Sequence, residues 1–148
     1  MTTRNAARVA LAAYVAVLLF LLLQPRPEVA VGSVVRVAEL LAQLPVVGPR
    51  VTGGRVEFLL NIAAFAPIPF LGRWAFSRVT WSEWVAWGFI GSVAVELIQG
   101  IFLDGRSAQF ADIVANTAGS FAGAVAAVCV SSHVAKISAS APSAVNDT

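Results

Sequence analysis

Residues 6–23 are almost wholly aliphatic or aromatic, residues 83–103 and 110–130 repeat the pattern, and each run reaches about 30 Å as an α-helix, the thickness of a bilayer's hydrocarbon core. A chain built on such runs is expected to cross a membrane as helices. Composition agrees, since 58% of the residues are hydrophobic and 12% charged, where a soluble domain carries about 25% charged residues. With 148 residues, the spans and their connections use up nearly the whole chain, so a single domain is expected.

The sequence pI near 9.3 does not point to nucleic acid, because the ten Lys and Arg are scattered singly rather than clustered. Cys129 is the only cysteine and lies inside an apolar run, where it reads as packing. His133 is the only histidine and no second ligand sits at metal-binding spacing, so neither a metal nor any other cofactor is expected.

Along the chain, the first run is preceded by Arg4 and Arg8 and stopped by Pro25 and Pro27. An uncleaved first span is expected. A cleaved signal peptide is the rival reading, since Ala30 and Gly32 follow, although Pro25, Pro27 and Glu28 make a poor cleavage region. Across residues 33–44, Arg36, Glu39 and Gln43 share one helical face and Val34, Val37, Ala38 and Leu41 the other. That pattern fits a short amphipathic helix in the membrane interface, or a helix in a soluble loop. A second run, 58–71, is short and holds Pro67 and Pro69, so it must draw in flanking residues such as Val56 and Gly72 and break near Pro67. Trp74, Trp81, Trp84 and Trp87 then read as an aromatic belt at a membrane surface. The third and fourth spans, 83–103 and 110–130, are joined by a polar turn through Arg106 and Ser107, and residues 131–148 read as a disordered tail after a transmembrane domain of residues 1–130. The expected fold is all-α: a polytopic bundle of about four transmembrane helices with one short interfacial helix. Lys and Arg divide equally between the two sides, and Arg4 and Arg8 ahead of the first helix favour a cytoplasmic N-terminus.

An ionisable group inside a membrane helix costs about 2.5–3.5 kcal/mol on insertion scales, which makes Glu96 the residue most in need of a partner. Gln99 shares its face. Glu57 and Asn61 lie one turn apart at the start of the second span, and Asp112, Asn116, Gly119 and Gly123 form a stripe down the fourth. In an up-and-down bundle all these polar groups fall at one end, with Arg55 and Arg106 beside them, and a single polar pocket is expected there. The bland reading makes Glu96 and Arg106 an interhelical ion pair, the amides hydrogen-bond glue, and Gly119 and Gly123 sites of close packing. Asp112 also suits a helix N-terminus by its charge alone.

The order of these motifs resembles the VanZ-like family of small bacterial membrane proteins. The resemblance rests on Glu57, Asn61, Phe65 and Pro67 in one run, then Glu96 and Gln99, then Arg106, Asp112, Asn116, Gly119 and Gly123, and spans residues 56–123. The chain departs from the family pattern at Pro67-Ile-Pro69-Phe-Leu-Gly72, where Pro-Leu-Gly is usual. The resemblance implies a bacterial cell-envelope role, the namesake being associated with resistance to the glycopeptide teicoplanin. It carries no settled biochemical activity. Three functions compete on these residues. The first is binding of a lipid-linked headgroup or lipophilic glycopeptide, with Arg106 meeting an anion and Glu96, Asn61, Gln99 and Asn116 hydrogen bonding to it. The second is an enzyme using Glu96 or Asp112 as general base, for which no nucleophile is evident. The third is a structural or assembly protein. Beyond the lipid bilayer and such a ligand, no partner is implied.

Overall fold

The structure, a computed structural model, describes residues 2–24, 28–43, 51–103 and 109–140; of residues 28–31 and 33 only the backbone is described. The elements are α1 (Thr3–Leu22), α2 (Glu28–Ala42), α3 (Gly53–Phe65), α4 (Pro67–Ala75), α5 (Trp81–Phe102) and α6 (Phe110–Ser140), with no strand among the described residues. Four helical units are long and apolar enough to cross a bilayer: α1, α3 with α4 as Gly53–Ala75, α5, and α6. The all-α polytopic bundle expected from the apolar runs is therefore present.

The second span breaks where its prolines require. Pro67 and Pro69 have no N–H, so the carbonyls of Ala63 and Phe65 lose their helical donors. The helix ends at Ala66 and restarts with Pro67 in the first turn of α4, where a missing N–H costs nothing. Tyr14 of α1 donates its hydroxyl proton to the carbonyl of Ala64 at 2.7 Å, within this same turn. Nearer the chain's start, Arg8 Nε donates to the Ala75 carbonyl at 3.2 Å, and its guanidinium lies 5.4 Å from the Phe76 ring centre. A cation at a helix C-terminus and over an aromatic face is doubly favoured. These contacts set α1 antiparallel to α4.

After α4 the chain turns back through Phe76 to Thr80. Thr80 opens α5 with a capping box: the Glu83 N–H donates to the Thr80 hydroxyl at 3.3 Å, and the Thr80 N–H donates to the Glu83 carboxylate at 2.7 Å. Trp74, Trp81 and Trp87 are exposed, as an aromatic belt requires. Trp84 differs: it turns inward, and its ring covers Gly72 so closely that a Cβ there would strike it.

Helix α6 is central, packing on α3, α4 and α5. Its buried residues are all small or amide-bearing: Ala115, Asn116, Gly119, Ser120, Gly123, Ala124 and Ala127. Small residues let backbones approach, which is how helices gain dispersion energy where lipid removes the hydrophobic incentive to associate. A Cβ on Gly119 would meet the Ile62 carbonyl, and one on Gly123 the Ala66 carbonyl.

Two elements run past their expected ends. Helix α6 continues to Ser140 rather than stopping near residue 130. The hydroxyls of Ser131 and Ser140 donate to the carbonyls of Val128 and Ile137, at 3.0 Å each, so the serines of the segment expected to be disordered are accommodated by the helix itself. The rest of the expected tail, residues 141–148, lies outside the described residues. Helix α2 begins at Glu28, earlier than expected, with Arg36, Glu39 and Gln43 exposed and Val34, Val37, Ala38 and Leu41 half-buried.

Candidate polar site at one end of the bundle

The polar residues of α5 and α6 meet as rungs. Along α5, Gly88, Ser92 and Glu96 recur at four-residue steps on the face toward α6, and along the antiparallel α6 the order runs Ser120, Asn116, Asp112. At the first rung a Cβ on Gly88 would strike the Ser120 hydroxyl. At the second, Asn116 Nδ2 donates to Ser92 Oγ at 2.9 Å, both residues being buried. At the third, Glu96 is 4% exposed and accepts the Gln109 N–H at 2.7 Å where the chain enters α6.

That last bond rearranges an ordinary helix start. Asp112 occupies the third position of α6, from which a carboxylate normally reaches back to the N-cap N–H. Here Glu96 takes that N–H from the neighbouring helix, and Asp112 Oδ1 accepts from Asn61 Nδ2 of α3 at 2.8 Å. Gln99, one turn past Glu96, donates through Nε2 to the Leu22 carbonyl at 2.8 Å and so ties the end of α1 to α5. Asn61, Glu96, Gln99, Asp112 and Asn116 therefore gather at the end of the bundle away from Thr3. One polar atom there is unsatisfied among the described residues: Asn116 Oδ1 is buried and accepts nothing. An unpaired buried acceptor costs about 1–3 kcal/mol.

The remaining candidates are placed differently. Glu57 is half-buried one turn before Asn61 and makes no side-chain hydrogen bond among the described residues. Arg55 is exposed in the first turn of α3, its N–H donating to the Thr52 hydroxyl at 3.4 Å. Arg106 lies outside the described residues. Gly119 and Gly123 pack against α3 and the α3–α4 junction, as their spacing suggests. Cys129 is exposed, far along α6 from the polar end. Sequence reasoning missed Ser92, Ser120 and Tyr14. The first two carry a legible signal, since Ser92 lies one turn before Glu96 and Ser120 one turn after Asn116. Tyr14, a single hydroxyl in an aliphatic run, gives none beyond its own polarity.

The Asn61–Asp112 bond is open to a double-mutant cycle. With Asn61→Ala and Asp112→Ala, unfolding in mixed micelles is expected to return a coupling of about 0.6–1.7 kcal/mol, the range for interhelical hydrogen bonds in membranes. Zero coupling would mean the two side chains do not meet.

Four apolar spans, small-residue packing and a buried polar end define a small polytopic α-helical membrane protein. The chain belongs to the VanZ/LLP1 family, whose sequence profile matches residues 10–131, from α1 well into α6. The resemblance carried by Asn61, Glu96, Asp112 and Asn116 is thereby borne out. Neither the curated proteins nor the solved structures give a match.

Proposed function

We propose that this VanZ-like protein sits in the bacterial cytoplasmic membrane with its N-terminus in the cytoplasm, and that its polar end faces the envelope and receives the headgroup of an amphiphile. The observation that carries the reading is the buried Asn116 Oδ1, unsatisfied one turn along α6 from Asp112 and on the rung of Ser92, next to that of Glu96. Helix packing does not require it, because Gly119 and Gly123 already bring α6 against α3 and α4. A cluster rich in acceptors favours a ligand that donates, through hydroxyl, amide or ammonium groups. Arg106, between α5 and α6 in the chain, is the group to meet a phosphate or carboxylate on the same ligand. A lipid-linked headgroup has both kinds of group, and so does a lipophilic glycopeptide.

Sidedness is tested by thiol labelling of intact cells in a Cys129→Ala background. Ser107→Cys is expected to react with an impermeant maleimide from outside and Ser77→Cys only after lysis. The reverse pattern would put the polar end in the cytoplasm and remove an envelope ligand from consideration.

A further inference from the structure

The end of the bundle opposite the polar site is strongly basic. It is formed by the start of α1, the end of α4, the turn into α5 and the last turns of α6, and residues 2–9, 73–84 and 131–140 place Arg4, Arg8, Arg73, Arg78 and Lys136 there against a single carboxylate, Glu83. That carboxylate is already engaged: Oε2 accepts both the N–H and the hydroxyl of Thr80, each at 2.7 Å. None of the five cations has an ion-pair partner among the described residues. The first turn of α1 also holds no acid, so Arg4 stands where the helix dipole favours an anion.

Arg8 is the group held in place. Its Nε donates to the Ala75 carbonyl at 3.2 Å and its guanidinium lies 5.4 Å from the Phe76 ring centre, which fixes the plane of the group. A guanidinium has five N–H groups, and this arrangement uses one. The two Nη atoms donate to nothing among the described residues and form the fork that meets two phosphate oxygens side by side. Around it stand Arg73 in the last turn of α4, Arg78 in the turn that the Val79 N–H closes on the Phe76 carbonyl at 3.1 Å, and Arg4 one turn before Arg8 in α1. We infer that this end of the bundle binds the phosphate of an anionic phospholipid, with Arg8 gripping it and Arg4, Arg73 and Arg78 supplying the surrounding charge. The inference is independent of the headgroup reading above, which concerns the other end.

Depth decides between a lipid and a soluble anion. Trp74, Phe76 and Trp81 are exposed and interleave with Arg73 and Arg78 along the chain. Exposed indole rings settle at the headgroup level of a bilayer, so guanidinium groups set between them lie at the depth of lipid phosphates. An acidic protein or a nucleic acid would have to reach past the rings into the headgroups. Charge then selects the lipid. A zwitterionic headgroup brings an ammonium that this cluster repels, whereas phosphatidylglycerol brings its phosphate alone.

The test exploits the tryptophans, because all four lie within residues 74–87 and none at the polar end. The full chain is placed in phosphatidylcholine vesicles containing a fraction of either phosphatidylglycerol or phosphatidylcholine brominated on its acyl chains, and quenching of tryptophan fluorescence reads the apparent affinity for each. Wild type is expected to prefer the brominated phosphatidylglycerol about tenfold or more. Arg8→Lys keeps the charge and loses the fork, so a merely basic surface would keep its preference while the site proposed here loses about fivefold or more. Thermal unfolding establishes that this variant is folded. If it is not, Arg4→Gln combined with Arg78→Gln decides, since both side chains are exposed, and the preference must again fall about fivefold or more. Equal quenching by the two lipids, or full preference in the folded variant used, would overturn the inference. So would a preference that millimolar glycerol 3-phosphate abolishes, which would make a soluble phosphate compound the ligand.

Discussion

Replacing Gly123 by alanine is expected to destabilise the bundle by about 1–3 kcal/mol, the usual cost of overpacking, and replacing it by leucine to prevent α6 from seating at all. The added Cβ would overlap the carbonyl of Ala66 and come within 2.9 Å of its Cα. Relief requires moving backbone, and this is backbone that cannot move easily. Ala66 closes α3 immediately before Pro67, and Tyr14 bonds the carbonyl of Ala64 in the same turn. Helix propensity acts in the opposite direction, since alanine is better than glycine by about 1 kcal/mol in a helix interior, and this offsets only part of the clash. Gly91→Ala is the control, because its Cβ enters open space and only the propensity gain applies. Thermal or denaturant unfolding in detergent micelles distinguishes them: Gly123→Ala must fall well below wild type and Gly91→Ala must not. Equal stability of the two variants would show that α6 does not lie against the α3–α4 junction.

The same residues show what a sequence of this kind discloses. The spans were legible because lipid imposes a long apolar run on every crossing helix, and the break in the second span because proline removes donors wherever it stands. The convergence of Asn61, Glu96, Asp112 and Asn116 followed from alternating direction alone, with no knowledge of distances. Pairing was not legible. That Glu96 accepts the Gln109 N–H could not be read, since a backbone donor leaves no mark in residue identity. Trp84 was read with the aromatic belt because indole suits the interface, yet the space above Gly72 draws it inward, and that space exists only once α4 and α5 are docked. The end of α6 was misread for a local reason: serine favours turns when its hydroxyl competes for nearby backbone, but in α6 the carbonyls of Val128 and Ile137 take that hydroxyl without breaking the helix.

Glu96→Gln is expected to leave the protein folded and to weaken headgroup binding about tenfold or more, equivalent to at least about 1.4 kcal/mol. The two effects separate because the substitution keeps shape and removes charge. A glutamine oxygen can still accept the Gln109 N–H, now as a neutral bond of roughly half the strength, so the structural loss stays near 1 kcal/mol. The ligand, by contrast, loses a carboxylate in surroundings of low dielectric, where a charged acceptor counts for much more than an amide. Glu96→Leu serves as the opposite control. It abolishes the acceptor, leaves the Gln109 N–H without its carboxylate, and is expected to lower stability by about 1.5–3 kcal/mol, the usual worth of a hydrogen bond to a charged group. Equilibrium binding of a lipophilic glycopeptide and of a lipid-linked saccharide to nanodisc-embedded protein, read beside unfolding curves, sorts the roles. A carboxylate that only holds helices together gives a Gln variant that binds normally. One that acts as a general base gives a Gln variant that binds normally yet leaves the bound molecule unchanged where the wild type alters it. The binding role proposed here requires weaker capture by the Gln variant at nearly unchanged stability, and an identical affinity in the two proteins would remove Glu96 from the site.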